Sequence, residues 1–366
     1  MKVADIAFCL EAAFPLAFQE SYDNCGLQVG NLEAEVSGVL LAIDVDEAVL
    51  AEAVERGCNL VVTHHPLLFR ALKRISNETY IERCVSYALR YGLHIYAAHT
   101  CADNAFPGIN TVLADRLGLL HCRPLFPMEG KLYKLVTYIP EESADHLRQA
   151  LWANGAGQIG AYDCCSYNVE GCGTFRPLEG AHPYIGEVNS LSHQKEVCVS
   201  MVFPSHSQTR ILHALKKAHP YEEPAFDLIP LANRWETQGG GLIGELPGAM
   251  PMDRCLAMLK QKLQAECLCY SRSVESKRSI RRIALCGGAG AFMYGRARAQ
   301  QADLFLTGEA KYNDFYDAMD GPPLVTIGHY ETERYAVDLF RDTLSQKFRN
   351  FAFHTSVRMS NPVKYL

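Results

Sequence analysis

Short apolar runs alternate along the chain with longer stretches in which apolar residues recur at helical spacing. In the first third the runs cover residues 39–42, 59–63 and 95–98, and near the end they cover 283–286, 303–307 and 324–327. Runs that are apolar at consecutive positions predict strands buried on both faces, and the helical stretches between them predict parallel strands joined by βαβ crossovers. The pattern therefore predicts an α/β fold.

The first and last parts of the chain look like two copies of one unit. Setting Thr63 against Thr307 without gaps aligns the run 39–42 with 283–286 and the run 59–63 with 303–307. Each copy then consists of an apolar run, a helix-length stretch and a second apolar run, as in a βαβ unit. We expect two related βαβ-containing halves that together form one interrupted α/β domain.

A second repeat lies between these halves. The segment 135–140, followed by a helical pattern through Leu147 and Leu151, matches 199–204, followed by a pattern through Ile211 and Leu215. Two β-α-β units of this length predict a ferredoxin-like α+β insert. The predicted domains are 1–127 for the first half of the α/β domain, 128–232 for the insert and 233–366 for the second half. The Gly-rich segment 238–241 is expected to be flexible.

Histidines and carboxylates follow three of the apolar runs, where the predicted strands end. His64 and His65 come directly after the run 59–63, and Asp103 follows 95–98. His329 and Glu333 follow 324–327 and, four residues apart, share one face if the segment is helical. Ligands of open α/β sheets bind beyond the carboxyl ends of the strands, so both halves can direct these side chains into one cleft. Three imidazoles and two carboxylates without a thiolate suit two zinc, iron or manganese ions and disfavour calcium or magnesium.

Three further residues each allow two interpretations. His99 ends a predicted strand close to Asp103 and either orients a metal ligand or accepts a loop hydrogen bond. Asp23 lies in an Asp-Asn-x-Gly sequence, where it either caps a turn or contacts a metal ligand or substrate. Glu309 lies in the loop after 303–307, where it or His99 is a candidate to move protons in an enzyme.

Two kinds of motif have no assigned role. Residues 287–290, Gly-Gly-Ala-Gly, either cradle a phosphate or form a tight turn close to the metals. The sequence His-Pro-Tyr occurs at 182–184 and again at 219–221. Both copies either bind a ligand or are turns constrained by proline, and the turn is the simpler interpretation.

Composition and charge exclude several classes of protein. A formal net charge of −6 gives the whole chain no electrostatic footprint for nucleic acid. No apolar stretch approaches the roughly 20 residues of a spanning helix, and the first residues lack the basic lead-in of a secretory signal. The 14 cysteines contain no Cys-x-x-Cys pair, so most are expected to be reduced and buried. We expect a cytoplasmic protein that binds neither membranes nor duplex nucleic acid.

Several motifs along the chain resemble those of one known family. The matching blocks are 23–30, 63–66, 99–103, 286–288, 307–309, 328–333 and 361–362. At these residues the chain resembles the dinuclear metal-centre family of YbgI and YqfO, whose members are commonly labelled GTP cyclohydrolase I type 2 homologues. Residues 160–162, 171–175 and 219–224 resemble the CutA-like insert of the longer, YqfO-like members.

The resemblance also implies an assembly and a set of ligands. The assembly is a homohexameric ring, built as a trimer of dimers, with two divalent ions per subunit facing an internal cavity. By the same resemblance His65 and Asp103 hold one ion, His64 and His329 hold the other, and Glu333 bridges them.

The chain departs from the usual family pattern at two positions. Glu309 stands where an aspartate is common, and Asn313 stands where a histidine often follows Lys-Tyr. Neither position belongs to the five implied ligands. The departures therefore leave the metal centre intact but weaken the transfer of any proton-moving or substrate-binding role.

Two classes of function fit such a centre. In an enzyme, water held between the two ions attacks a purine-ring carbon or a phosphoester of a small molecule, while Glu333 and Asp103 hold the ions. The family label favours GTP ring opening, although no residue of the sequence identifies a guanine pocket. The alternative is a ring that stores, delivers or senses metal without turnover. An enzyme requires open coordination positions that face polar groups, whereas a carrier requires only exchangeable ions.

Overall fold

The computed structural model of the chain describes residues 1–276 and 279–366 and contains several mixed and antiparallel sheets with flanking helices. In chain order the strands are β1 (Gly26–Val29), β2 (Val39–Ala42), β3 (Leu60–Thr63), β4 (His94–Ala97), β5 (Leu120–Met128), β6 (Leu132–Pro140), β7 (Tyr167–Phe175), β8 (Ser192–Pro204), β9 (Phe226–Pro230), β10 (Trp235–Pro251), β11 (Cys269–Tyr270), β12 (Ser279–Cys286), β13 (Leu304–Thr307), β14 (Leu324–Thr326) and β15 (Phe353–Thr355).

The helices are α1 (Val3–Ala13), α2 (Glu47–Glu55), α3 (Tyr80–Tyr91), α4 (Thr100–Asp103), α5 (Ile109–Leu117), α6 (Ala144–Ala153), α7 (Gln208–Ala218), α8 (Met252–Lys262), α9 (Tyr294–Ala299), α10 (Tyr312–Asp317), α11 (His329–Glu333) and α12 (Ala336–Lys347). Short 3-10 helices cover Leu16–Phe18, Glu141–Ser143, Ser205–Ser207, Arg272–Ser276 and Gly290–Met293. The fold is therefore a mixed α/β fold, and this coarse prediction from the apolar runs is confirmed.

The chain divides into two compact units. Unit 1 consists of Met1–Pro127 together with Thr237–Leu366, and unit 2 consists of Met128–Glu236. Among the residues that the structure describes, unit 1 contains two sheets and unit 2 contains one.

The first sheet of unit 1 has the strand order β1-β4-β3-β2-β15. Strands β4, β3, β2 and β15 are mutually parallel, and β1 is antiparallel at the edge. All residues of β2 and β3 are buried, and apolar side chains of α2 and α3 such as Val49, Ala53 and Ala88 pack in the same core. Because β2, β3 and β4 run in one direction, their carboxyl ends lie at the same edge of the sheet.

The second sheet has the order β11-β14-β13-β12-β10-β5, with β12, β13 and β14 parallel. Strands β12 and β13 pair in the same register as β2 and β3 of the first sheet. Cys286 pairs with Thr307 in the second sheet, and the residues aligned with them in the sequence repeat, Ala42 and Thr63, pair in the first. Each sheet also contains a strand from the other end of the chain. The late strand β15 pairs with β2, and the early strand β5 lies beside β10.

The Gly-rich segment 238–241 lies inside strand β10, so the expectation of a flexible connection is wrong. A side chain on Gly239 would place its Cβ 2.1 Å from the Phe126 carbonyl oxygen, and one on Gly240 would lie 2.7 Å from the Met293 methyl. The Gln238 amide binds both backbone groups of Phe106. Glycine is present here because the backbone packs closely against its neighbours.

Unit 2 is built on an antiparallel sheet with the order β7-β8-β6-β9. Alternate residues of β8, such as Val197 and Val199, form one core with residues of both helices, such as Leu147 of α6 and Ile211 of α7. Because side chains alternate between the faces of a strand, α6 and α7 cover one face of this sheet.

Among the helices of residues 1–276 and 279–366, none combines the length and the apolar character that a membrane-spanning helix needs.

Candidate metal centre

Side chains that follow strands β3 and β4 of the first sheet and β14 of the second sheet meet in unit 1. His64 and His65 directly follow β3, whereas Asp103 ends α4, just after β4. His329 and Glu333 are the first and last residues of α11, which follows β14. Donor atoms of these five residues form two groups within 4.8 Å: His64 with Asp103 and Glu333, and His65 with His329 and Glu333. The structure thus brings together the five residues predicted as metal ligands.

The Glu333 carboxylate lies at the centre of this cluster. Its Oε2 atom is 2.9 Å from His65 Nε2, 2.9 Å from His329 Nε2 and 3.6 Å from His64 Nε2. The side chain is only 4% exposed. A buried carboxylate that approaches three imidazoles can be shared between neighbouring cations.

Each of the three imidazoles uses its other nitrogen to bind an oxygen outside the cluster. His64 Nδ1 donates to the Ala98 carbonyl oxygen at 2.9 Å, because a carbonyl oxygen can only accept. His65 Nδ1 contacts Asp44 Oδ1 at 2.7 Å, and His329 Nδ1 contacts Glu309 Oε1 at 3.1 Å. Such contacts fix the ring orientation of metal-binding histidines. They leave all three Nε2 atoms pointing toward Glu333.

His64 Nε2 is the most informative atom of the cluster. It is buried, and no described residue forms a hydrogen bond with it. Asp103 Oδ1 is 3.8 Å away, too far for a hydrogen bond. An unpaired buried nitrogen is costly in free energy, and a cation between His64, Asp103 and Glu333 would satisfy it. The donors present therefore fit a metal ion.

The same contacts shift the pKa values of the cluster. Burial alone would raise the pKa of Glu333, but His64, His329 and His65 outweigh it and hold that pKa well below its usual range. Burial lowers the pKa of His65, but hydrogen bonds to Asp44 and Glu333 outweigh it and raise this pKa to about 10. Burial and the nearby Glu333 raise the pKa of Asp103. A divalent cation that binds here at neutral pH must therefore displace protons.

Glycines let the backbone approach the cluster closely. Gly288 follows β12 with φ +58°, and a Cβ on it would lie 2.1 Å from Glu333 Oε1 and 3.2 Å from His329 Nε2. A Cβ on Gly308 would lie 2.9 Å from the His329 Cα atom. The Gly-Gly-Ala-Gly sequence thus forms a close wall beside the cluster, which is the tight-turn interpretation of that motif.

His99 and Asp23 form a pair at the edge of the cluster. His99 Nδ1 is 2.8 Å from Asp23 Oδ1, and the Thr100 amide donates to Asp23 Oδ2 at 3.0 Å. Burial alone would raise the pKa of Asp23, but the hydrogen bonds from His99 and Thr100 outweigh it and lower that pKa. The His99 ring also belongs to a third group of possible donors, with His64 and His65.

The structure groups the donors differently from the pairing that the family resemblance implies. Asp103 lies with His64, whereas the resemblance places it with His65. His329 lies with His65 and contacts it at 3.3 Å between the two Nε2 atoms. In the structure, as in the arrangement that the resemblance implies, Glu333 is shared by the two groups of donors.

Asp44 belongs to the site but is absent from the residues predicted from the sequence. It lies two residues beyond the end of β2 and binds His65. Burial alone would raise the pKa of Asp44, but His65 outweighs it and lowers that pKa. The signal that identifies Asp103, an acidic residue after a buried strand, applies equally to Asp44.

A cavity of about 550 Å³ opens beside the cluster. Its lining includes His65 and His329 together with Asp44, Glu309 and Tyr330. These polar groups surround the exposed side of the two imidazoles, so a small molecule can reach the cluster.

These observations define an α/β protein with a candidate metal centre of histidines and carboxylates. The chain belongs to the Duf34/NIF3 (NGG1p interacting factor 3) family, whose model matches residues 1–363.

Similar proteins support this assignment along the whole chain. A protein of Halalkalibacterium halodurans named GTP cyclohydrolase 1 type 2 homolog is 35% identical over 99% of this chain and 98% of its own length. A Bacillus subtilis protein of the same name is 36% identical over 86% of this chain and 85% of its own length. The crystal structure of a Bacillus cereus protein related to NIF3 superposes with a TM-score of 0.87 at 32% identity, covering 100% of this chain and 99% of that one. The family predicted from the motifs is confirmed.

Proposed function

We propose that the cluster binds two divalent cations and that the protein is a metal-dependent hydrolase. One cation would be held by His64, Asp103 and Glu333, and the other by His65, His329 and Glu333, so that Glu333 would contribute to both sites. The buried, unpaired Nε2 atom of His64 carries this proposal, because few groups other than a cation fit between it and two carboxylates. Imidazole and carboxylate donors favour zinc, iron or manganese.

A pair of divalent cations supplies Lewis acidity and a nucleophilic water for hydrolysis. Asp44 and Glu309 orient His65 and His329 through their Nδ1 atoms. Glu309 is 58% exposed and lines the cavity, so it can also exchange protons between a bound substrate and solvent. Asp23 holds His99 in a fixed orientation, with its ring centroid 5.1 Å from that of His64.

The proposed substrate is a nucleotide or a phosphoester. The name GTP cyclohydrolase 1 type 2 homolog, carried by relatives at 35% and 36% identity, supports a nucleotide. The cavity of about 550 Å³ beside the cluster has room for a small molecule. Polar groups around this cavity favour an enzyme over a carrier that only stores or delivers metal.

We further propose the finer organisation of the chain and its assembly. The equal registers of β2 with β3 and of β12 with β13 support two related halves of the α/β domain. The antiparallel sheet with two helices on one face supports a ferredoxin-like insert. By family resemblance the assembly is a homohexamer in the cytoplasm.

The test is anaerobic purification followed by elemental analysis of the wild type and His65→Ala. We expect about two ions per subunit in the wild type and about one fewer in the variant, because His65 is a ligand of one proposed ion. His213→Ala is the control, since His213 is exposed on α7 of unit 2.

The same three proteins are then assayed against GTP and small phosphoesters. Hydrolysis by the wild type and the control but not by His65→Ala supports the enzyme. Metal loss in His65→Ala without activity in any protein favours storage or delivery. Unchanged metal content in His65→Ala would contradict the proposed ligands.

A further inference from the structure

Unit 2 contains a cavity of about 580 Å³ that has no part in the metal centre. Glu196 and Cys198 of β8 line it, whereas the alternate residues Val197 and Val199 lie in the helix-covered core. The cavity therefore lies on the face of the sheet opposite α6 and α7. The segment 176–185 and residues 221–225 complete its walls.

Both His-Pro-Tyr motifs meet at this cavity. Tyr184 of the first motif and Tyr221 of the second line it, with ring centroids 6.3 Å apart. Phe175 also lines the cavity, with its ring centroid 5.9 Å from that of Tyr221. Three aromatic rings from separate segments of the chain therefore form one wall.

Hydrogen bonds fix the two motifs in place. His219 Nε2 donates to the Tyr138 carbonyl oxygen at 2.9 Å, and His219 Nδ1 accepts from the Tyr221 amide at 3.1 Å. The His182 amide donates to Glu222 Oε2 at 2.9 Å, which joins the two segments. His219 thus has structural contacts through its ring and His182 through its backbone amide, whereas Tyr184 and Tyr221 line the cavity.

A carboxylate lies beside the aromatic wall. The Tyr221 hydroxyl donates to Glu196 Oε1 at 2.7 Å, and burial together with Glu196 raises the pKa of Tyr221. The described lining residues include four glutamates and one arginine, so the cavity is strongly negative: Glu170, Glu196, Glu222, Glu223 and Arg176. This charge disfavours an anionic ligand.

Two glycines keep the floor of the cavity open. Gly171 pairs with Glu196 across the strands, and a Cβ on Gly171 would meet no atom within 4 Å. A Cβ on Gly173 would lie 2.1 Å from Glu196 Oε2 and would displace that carboxylate. Glycines inside a strand mark places where a ligand or another backbone approaches closely.

We propose that this cavity binds a small organic cation, an amine or quaternary ammonium compound. Its cationic group lies against the rings of Tyr184 and Tyr221, beside the Glu196 carboxylate. Aromatic faces attract cations through their quadrupoles, and a partly buried carboxylate adds a direct charge interaction.

The test measures binding to the full-length, metal-loaded protein by calorimetry. The probes are choline and benzylamine, each compared with a neutral partner of the same shape: dimethylbutanol, the carbon isostere of choline, and benzyl alcohol. We expect at least one cation to bind about tenfold more tightly than its neutral partner. Absence of binding by both cations at millimolar concentration overturns the proposal, as does equal binding of the neutral partners.

Variants separate the contributions to this binding. Glu196→Gln keeps an acceptor for Tyr221 but removes the charge, so affinity for the cation should fall about tenfold. Glu141→Gln is the control, because Glu141 is exposed in the same unit and does not line the cavity. Gly171→Leu fills the floor and should abolish binding while the unfolding transition persists. If Glu196→Gln and Gly171→Leu both bind as the wild type does, the site lies elsewhere and the proposal fails.

Discussion

Gly288 has no side chain because Glu333 occupies the space where one would lie. We expect Gly288→Ala to displace the Glu333 carboxylate, since the added Cβ would lie 2.1 Å from its Oε1 atom. The positive φ of +58° adds backbone strain of about 1 kcal/mol or more. Metal affinity should fall about tenfold or more, measured by competition with a chromogenic chelator.

Gly295→Ala is the matched control for this prediction. Gly295 lies in α9, and a Cβ on it would meet no atom within 4 Å. Alanine favours a helix over glycine, so this variant should keep its metal and be equally or slightly more stable. Equal metal affinity in the two variants would show that the close approach at Gly288 has no role in the centre.

At the residue scale, the sequence predicts side chains that directly follow buried strands. His64 and His65 are recognisable because two adjacent imidazoles after a buried strand have little packing value. Asp44 also follows a buried strand, but this signal does not single it out, because it is one of two aspartates just before α2. Asp46 caps that helix through the Val49 amide, and nothing in the sequence tells which aspartate points toward a histidine.

At the scale of elements, Glu52 of α2 binds the segment that follows β15. Its carboxylate accepts hydrogen bonds from Ser356 Oγ at 2.6 Å and from the amides of Val357 and Arg358. The side chain is only 3% exposed. Burial alone would raise the pKa of Glu52, but these hydrogen bonds outweigh it and lower that pKa.

We expect Glu52→Gln to lower the free energy of unfolding by about 1–3 kcal/mol near neutral pH, because hydrogen bonds to a buried charge are lost. A lowered pKa in the folded state gives stability that is present above the unfolded pKa of about 4.5 and is lost as pH falls through the folded pKa. The difference between wild type and variant should therefore shrink in acid, measured by urea unfolding across pH.

Glu55→Gln is the control on the same helix. Glu55 is 58% exposed and pairs with the Arg358 side chain at the surface, so its loss should change stability by less than about 1 kcal/mol. A pH-independent difference for Glu52→Gln would mean that packing, and not the charge, stabilises this contact.

The sequence predicts the central strands of both sheets and misses their edges. Strands β2, β3, β12 and β13 have apolar runs because they are covered on both faces. Strand β15, Phe353–Thr355, is partly buried and carries a histidine, so its three residues lack such a run. Strand β11 has only two residues, both exposed. Short edge strands carry too little apolar pattern to be identified.

At the scale of the whole molecule, the two parts of unit 1 are joined at the candidate metal centre. Asn110 of α5 donates to the Asp103 carbonyl oxygen at 3.0 Å and accepts from the Gly287 amide at 3.0 Å. His65 from one part contacts Glu333 from the other. Cations that bind this cluster therefore hold distant segments of the chain together.

Removal of metal should lower the thermal stability of the protein. Ions bound only by the folded state stabilise it by about 2.7 kcal/mol at a hundredfold excess over Kd, which corresponds to roughly 5–10 °C. We expect this decrease in Tm when a chelator is added to the wild type, measured by calorimetry. His65→Ala should show a smaller decrease, and an equal decrease in both proteins would place the stabilising ion elsewhere.

The sequence alone does not reveal the exchange of strands between the two sheets. Ungapped repeats predict two similar halves, but β15 joins the first sheet and β5 joins the second. Strand partners across more than 300 residues depend on tertiary packing, which local apolar patterns do not encode.

The position of β15 has a consequence for biosynthesis. The first sheet lacks its edge beside β2 until residues 353–355 have been translated, and the cluster lacks Glu333 until α11 has left the ribosome. A nascent chain that has made only the first half has His64, His65 and Asp103 but lacks His329 and Glu333. For the proposed metal centre, we therefore expect stable metal insertion only after α11 has been synthesised.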